Sequence, residues 1–336
     1  MKAAVVTEFG APLQVQDVPT PEPGRGQVLV RIESSGLCHT DIHAAHGDWP
    51  VKPKMPFISG HEGVGRIEAV GDDVEYLSVG DRVALPWLGK ACGRCRYCVT
   101  GRETYCQDYE YMGYTIDGGY AEYTVGYASH VTPVPDDVSS FDAAPLTCAG
   151  VTTYAALKSV QPRPADTVMV AGIGGLGHLG LQYAKAFGSR TIAVDVEDAK
   201  LALAKELGAD HVVDARDDQV AQVRDLGGAD VALVTVPSPV VMSAARDCLN
   251  PTGRLVIVGL PKANKLELPV FETVLNGITV RGSLVGTRED LAETFELHRR
   301  GRTRVIAEAR SLDDVNECFD EVLAGKVPGR LVFDLT

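Results

Sequence analysis

The hexapeptide Gly172-Ile173-Gly174-Gly175-Leu176-Gly177 lies between an apolar run, 167–171, that reads as a strand and a segment from 177 that reads as a helix. In that setting G-x-G-x-x-G predicts a strand–turn–helix unit that receives a dinucleotide pyrophosphate. Gly172 permits the tight turn, Gly174 lets the backbone approach the phosphates, and Gly177 lets the helix pack on the strand. Free N–H groups and the dipole at the helix start favour the anion. Further strands are expected at 191–195, 211–213, 231–236 and 255–258, with a helix near 199–207. Strands that are apolar on both faces and separated by helices predict a parallel sheet covered on both sides. Asp195 ends the second strand, where an acid meets the ribose hydroxyls. It repels a 2′-phosphate, Glu197 adds to the repulsion, and no arginine follows directly, so NAD is expected over NADP.

Before about residue 135 the pattern changes. Short strands at 27–32, 65–70, 82–85 and 121–125 stand between Gly and Pro turns, with little helical periodicity. A chain of 336 residues is long for one core, so two domains are expected, one mostly β and one α/β. Helices at 289–299 and 313–323 and a strand at 330–335 end the chain; periodicity leaves open whether they finish the parallel sheet or return to the first domain. A net charge of −13 without a basic stripe excludes a nucleic-acid binder and an anionic membrane surface as partners. No apolar stretch reaches membrane-spanning length, and the first residues meet an acid, Glu8, too early for a signal peptide. A cytoplasmic protein is expected.

Cys92, Cys95, Cys98 and Cys106 follow the spacing C-x2-C-x2-C-x7-C. Four thiolates with no open position suit a structural Zn2+. The competing disulfide reading needs an oxidising compartment, which the missing leader argues against. Outside this lobe Cys38, His39, His43, His46, His61, Glu62 and Cys148 are able to bind metal. Cys38 and His61 follow strand-like segments, and two thiolates with one imidazole drawn from this set neutralise Zn2+ and leave a position open for water or substrate. Alone, Cys148 reads as a small buried hydrophobe more readily than as a ligand. Cys248 and Cys318 read as core or surface thiols, and His46, His130, His211 and His298 as ordinary polar positions.

Cys38-His39-Thr40-Asp41-Ile42-His43, Gly60-His61-Glu62-Gly63-Val64-Gly65, the four-cysteine lobe, Cys148-Ala149-Gly150-Val151-Thr152, the glycine hexapeptide and Gly282-Ser283-Leu284-Val285-Gly286 together resemble the zinc-dependent medium-chain alcohol dehydrogenases over essentially the whole chain. His46-Gly47-Asp48-Trp49-Pro50 and Pro86-Trp87-Leu88 resemble the tetrameric yeast and bacterial ethanol dehydrogenases. The resemblance implies an α/β fold in which residues 1–149 with 286–336 form a GroES-like catalytic domain, carrying a structural-zinc lobe at 90–107. Residues 150–285 form an inserted, doubly wound Rossmann domain. It implies that Cys38, His61 and Cys148 hold a catalytic zinc, with Glu62 beside it as a neighbour or alternate ligand and Asp41 accepting a hydrogen bond from His61.

The same resemblance implies NAD contacts. Thr152 and Leu176 flank the nicotinamide, with Gly175 and Val236 also on the cofactor, and Lys200 touches the adenosine ribose. Val258, Ser283, Leu284 and Val285 offer backbone groups to the carboxamide, and His39 and Arg330 lie near the pyrophosphate. Trp49 and Trp87 wall a small pocket. The implied reaction is reversible, zinc-assisted oxidation of a small primary alcohol to the aldehyde, with hydride passed to NAD+. Thr40 receives the hydroxyl proton, and His43 releases it to solvent through the cofactor ribose, a shuttle suited to an imidazole. A homo-tetramer is implied, with a dimer as the fallback. The rivals are a zinc dehydrogenase of the same fold acting on a secondary alcohol, polyol or threonine, and a non-catalytic NAD-binding relative.

Overall fold

The longest strand of the mostly-β half, Gln27–Leu37, is nearly buried along its length and pairs with three others. In the computed structural model, which describes residues 1–261 and 265–336, this strand lies in a sheet ordered Thr132–Pro133, Arg82–Leu85, Gly63–Val70, Gln27–Leu37, Arg330–Asp334 and Ala307–Ser311, with Tyr123–Tyr127 also on Gln27–Leu37. Val28, Val30 and Ile32 pack with Ile67, Val83, Leu85 and Val131. A strand buried on both faces needs partners along its full length, and register shifts between Leu29 and Val30 and between Ile32 and Ser34 let it serve several. The final strand is antiparallel to it, with Leu331 opposite Leu37 and Phe333 opposite Ser35. This answers what periodicity left open: Leu331, Val332 and Phe333 are buried in the β-rich half.

The chain forms two units, one comprising Met1–Cys148, Thr287–Arg300 and Ala307–Thr336, the other Ala149–Gly286 and Gly301–Ile306. In the second, six parallel strands stand in the order His211–Asp214, Arg190–Asp195, Thr167–Ala171, Ala229–Val234, Leu249–Ile257 and Thr279–Gly282. The order reverses beside Thr167–Ala171, which makes this the doubly wound sheet the sequence predicts, with its ligand crevice at the strands' carboxyl ends. Met169, Ala171, Ile192, Val194, Ala232, Val234 and Leu255 build one core layer. Helices Gln219–Asp225, Pro239–Asp247 and Val270–Leu275 were not expected from periodicity. The first two start at Asp218 and Ser238, whose side chains accept hydrogen bonds from backbone N–H groups of the first turn. No helix among the described residues is long and apolar enough to cross a membrane.

Candidate active site

All eight cysteines are free thiols. In the 90–107 lobe, sulfur separations are 3.9 Å for Cys92–Cys98, 3.5 Å for Cys95–Cys98 and 3.9 Å for Cys95–Cys106. These are too long for disulfides. They match the edge of about 3.8 Å that follows from tetrahedral Zn–S bonds of about 2.3 Å. Backbone N–H groups of Arg94 and Cys95 bring the Cys92 thiol down to about 6, whereas burial pushes Cys98 up to about 12. Strands Leu88–Ala91 and Tyr109–Tyr111 close the lobe at its base. His130, read from sequence as an ordinary polar position, is instead buried. Its Nε2 accepts a hydrogen bond from Ala91 N at 2.9 Å, next to Cys92. Glu103, also buried, pairs with Arg288 through bonds of 2.9 and 2.7 Å.

The second cluster brings Cys38, His61, Glu62 and Cys148 together, their ligand atoms all within 4.8 Å of one another and all four residues buried. Cys38 has extended backbone at the start of helix His39–His46, and Asp41 Oδ2 accepts its N–H at 3.0 Å. His61 follows Gly60, whose φ of 98° and contact with the Tyr120 ring leave no room for a side chain. Cys148 stands in a π-helical turn, Leu146–Gly150, a distortion that often marks functional sites. His61 Nε2 is 3.2 Å from Cys148 Sγ, while Nδ1 donates to Asp41 Oδ1 at 2.8 Å. Tyr120, absent from the sequence reading, donates its hydroxyl to Asp41 Oδ2 at 2.9 Å and so fixes the carboxylate that orients His61.

Crowding shifts the proton affinities of these donors. Cys148 and Cys38 share a hydrogen bond that holds the Cys38 thiol well below its ordinary range and pushes Cys148 well above it. Burial works against a charged His61, but Asp41 overrides it and holds the imidazole well above its usual range. Burial lifts Glu62 to about 8, against the pull of Arg330. Glu62 Oε2 and Arg330 Nε are buried without a hydrogen-bond partner among the described residues. Two sulfurs, an imidazole and a carboxylate crowded in a dry space are a donor set that a divalent ion satisfies. Arg330, expected at the pyrophosphate, is buried here, with Nη2 2.7 Å from Glu62 Oε1 and 3.8 Å from Cys148 Sγ.

An aromatic wall stands against the cluster. The Trp87 ring is 5.0 Å from His61, 4.7 Å from Tyr111 and 5.6 Å from Tyr114. Trp49 lies 6.4 Å from Trp87 and 5.6 Å from both Tyr114 and His43. Tyr111 and Tyr114 carried no sequence signal. Thr40, half-buried, and His39, exposed, begin the helix that carries His43. His43 Nδ1 is 2.8 Å from Asp48 Oδ2, a partner that sequence reading passed over although it lies in His46-Gly47-Asp48-Trp49-Pro50.

In the second unit, Gly172 has a φ of 93°, and a Cβ there would meet Val236. A Cβ on Gly177 would lie 1.7 Å from Gly172 O, whereas one on Gly174 would meet nothing within 4 Å. The middle glycine therefore faces open space, where the predicted pyrophosphate approaches. Gly175 and Leu176 complete the turn before helix Gly177–Ala186. Asp195 Oδ2 accepts Ile173 N at 2.7 Å, tying the second strand's end to this turn. Lys200 Nζ is 2.6 Å from Glu197 Oε1. Val236, Val258 and Ser283 follow the carboxyl ends of successive parallel strands, with Val258 N bonded to Val234 O and Ser283 N to Ile257 O. Leu284 and Val285, the latter with φ of 42°, continue from Ser283, and Thr152 is buried in helix Val151–Val160.

Residues 24–136 match the family model of the alcohol dehydrogenase GroES-like domain, and residues 175–300 that of the zinc-binding dehydrogenases. An alcohol dehydrogenase of Geobacillus stearothermophilus is 50% identical over 334 residues, covering 99% of each chain. The crystal structure of the alcohol dehydrogenase from the hyperthermophilic archaeon Aeropyrum pernix superposes with a TM-score of 0.93 at 38% identity, covering 99% of this chain and 100% of that one. The acetophenone reductase of Geotrichum candidum, solved in complex with NAD, superposes at 0.89 with 30% identity, over 99% and 96% of the two chains. Likeness of this extent, on a chain whose two donor clusters suit zinc, places it in the zinc-dependent medium-chain alcohol dehydrogenase family.

Proposed function

We propose that this alcohol dehydrogenase oxidises small primary alcohols, ethanol among them, to aldehydes with NAD+ as hydride acceptor. The observation that carries the substrate reading is the packing of Trp49, Trp87 and Tyr114 against one another beside His61 and His43, bulky rings that would leave a long or branched chain little room. Asp195 and the nicotinamide cofactor of the Geotrichum reductase support NAD.

Cys38, His61 and Cys148 would hold the catalytic zinc, with Glu62 beside it. The lobe of Cys92, Cys95, Cys98 and Cys106 would hold the structural one. When bound, zinc supplies Lewis acidity that draws a hydroxyl pKa toward neutrality, and the nicotinamide supplies the hydride acceptor. Asp41 fixes the His61 tautomer, so that Nε2 faces the metal position. Thr40 takes the proton from the substrate hydroxyl. His43, three residues on and hence on the same helical face, passes it to solvent. Asp48 accepts the His43 Nδ1–H and leaves Nε2 to receive that proton. The Gly172–Gly177 turn holds the pyrophosphate.

NAD+ reduction across ethanol, propanol, butanol, isopropanol and benzyl alcohol tests the reading. Short primary alcohols should give the highest kcat/KM, and Trp49→Ala should shift preference toward longer or branched alcohols by about tenfold. A ranking led by isopropanol or a polyol, or one that Trp49→Ala leaves unchanged, contradicts it.

Cytoplasmic placement and a homo-tetramer belong to the same proposal. Val270, Phe271, Val274 and Leu275 are exposed on one short helix, beside the edge strand Thr279–Gly282. Such a patch on an open sheet edge is a surface that chains cover by association. Sedimentation equilibrium reads the mass, and a monomer contradicts the proposal.

A further inference from the structure

No arginine follows Asp195 in the chain, yet the neighbouring strand delivers one. Strand His211–Asp214 is parallel to Arg190–Asp195 with Asp214 opposite Asp195, and Ala215 N donates to Asp195 O at 2.9 Å. Arg216, one residue further on, therefore stands at the same strand ends as the ribose-binding acid. Its Nε lies 2.9 Å from both Asp214 oxygens, and its Nη2 lies 2.5 Å from Asp214 Oδ2 and from Asp198 Oδ1. Asp198 opens helix Asp198–Glu206 just past Asp195, so the guanidinium spans the two loops that would frame the adenosine ribose.

The charges here divide unevenly. Asp198 and Asp214 pair with Arg216, and Glu197 pairs with Lys200. Asp195, the buried one, forms no ion pair with the described residues. It accepts backbone N–H groups from Ile173, Val196 and Glu197. Two cations thus face four carboxylates, and Asp195 is the one with no cation against it among the described residues. Arg216, by contrast, is itself exposed, so solvent screens its pairs and a stronger anion competes for the guanidinium there. A phosphate dianion accepts a guanidinium bidentately and is that stronger anion.

We propose that Arg216 is a latent receptor for a 2′-phosphate, kept on Asp198 and Asp214, and that the chain rejects NADP through the Asp195 carboxylate rather than through lack of a cation. Removing one charge should then admit the phosphorylated cofactor with no arginine added. This rests on the reading of NAD as the cofactor.

The test is calorimetric binding of adenosine 5′-phosphate and adenosine 2′,5′-bisphosphate to the whole protein. The native chain should prefer the 5′-phosphate. Asp195→Asn keeps an oxygen for Ile173 N–H while losing the charge, and Asp195→Ser serves as a second variant should the asparagine disturb the turn. Each should raise affinity for the bisphosphate relative to the 5′-phosphate by about tenfold or more, the scale of one charge-assisted pair. Adding Arg216→Ala should cancel that gain. A gain that survives Arg216→Ala, or no gain in either Asp195 variant, overturns the role of Arg216 while leaving the NAD reading in place. A native chain that already prefers the bisphosphate overturns the NAD reading, and this inference with it.

Discussion

The two donor clusters are built in opposite ways. The four-cysteine lobe takes its sulfurs from fifteen consecutive residues, closes over two short helical turns, and leaves three of its thiols partly exposed. The other cluster draws Cys38 from a helix start, His61 from a glycine turn and Cys148 from a π-helical turn, and buries all of them. A local site needs only its own spacing. A dispersed one needs the whole β unit to hold it, with Asp41 orienting His61 and Tyr120 holding Asp41. The lobe should therefore serve stability, and the buried cluster, whose donors include a carboxylate that burial keeps near neutral, should serve chemistry.

That contrast breaks first at Cys148. Replacing it with Ser should lower kcat/KM by about a thousandfold or more, the scale of losing transition-state charge stabilisation, with little change in thermal midpoint. Steady-state kinetics beside a melting curve reads both, and a large fall in midpoint with activity retained reverses the assignment. Cys98→Ser should do the opposite. It should cost about 4 kcal/mol or more of stability, the range associated with a lost metal, while the folded fraction keeps its turnover. Denaturant titration checks it, and an unchanged midpoint denies the lobe its structural role.

The smallest effect concerns His130. Burial, reinforced by Arg288, lowers its folded pKa to about 4. The unfolded chain therefore binds the proton first as pH falls below about 6.5, and stability drops through that window toward pH 4. About 2 kcal/mol should be lost between roughly pH 6.5 and pH 5 from this group. His130→Gln, which keeps an acceptor for Ala91 N–H, should flatten that part of the stability profile. An identical profile in the variant removes His130 from the account.

What was legible in the sequence follows the same division. The glycine hexapeptide, the alternation of strands and helices and the cysteine spacing are local patterns, and each reads directly into Thr167–Ala171, Gly177–Ala186 and the lobe. Contacts between distant segments were not legible by spacing. Arg288 reaches Glu103 across 185 residues, Tyr120 reaches Asp41 across 79, and Arg330 reaches Glu62 across 268. Cys148 alone read as a small hydrophobe, and only resemblance joined it to Cys38 and His61. Arg216 was hidden similarly, because strand pairing rather than chain order carries it to Asp195. The short helices Gln219–Asp225 and Val270–Leu275 escaped because six or seven residues hold too few turns to show a period.

The most direct measurement is zinc per chain by mass spectrometry, on the native protein and on Cys148→Ser. Two zincs in the first and one in the second, with the fold intact, is the predicted result. One zinc in the native protein, or two in the variant, would contradict a catalytic metal held by Cys38, His61 and Cys148.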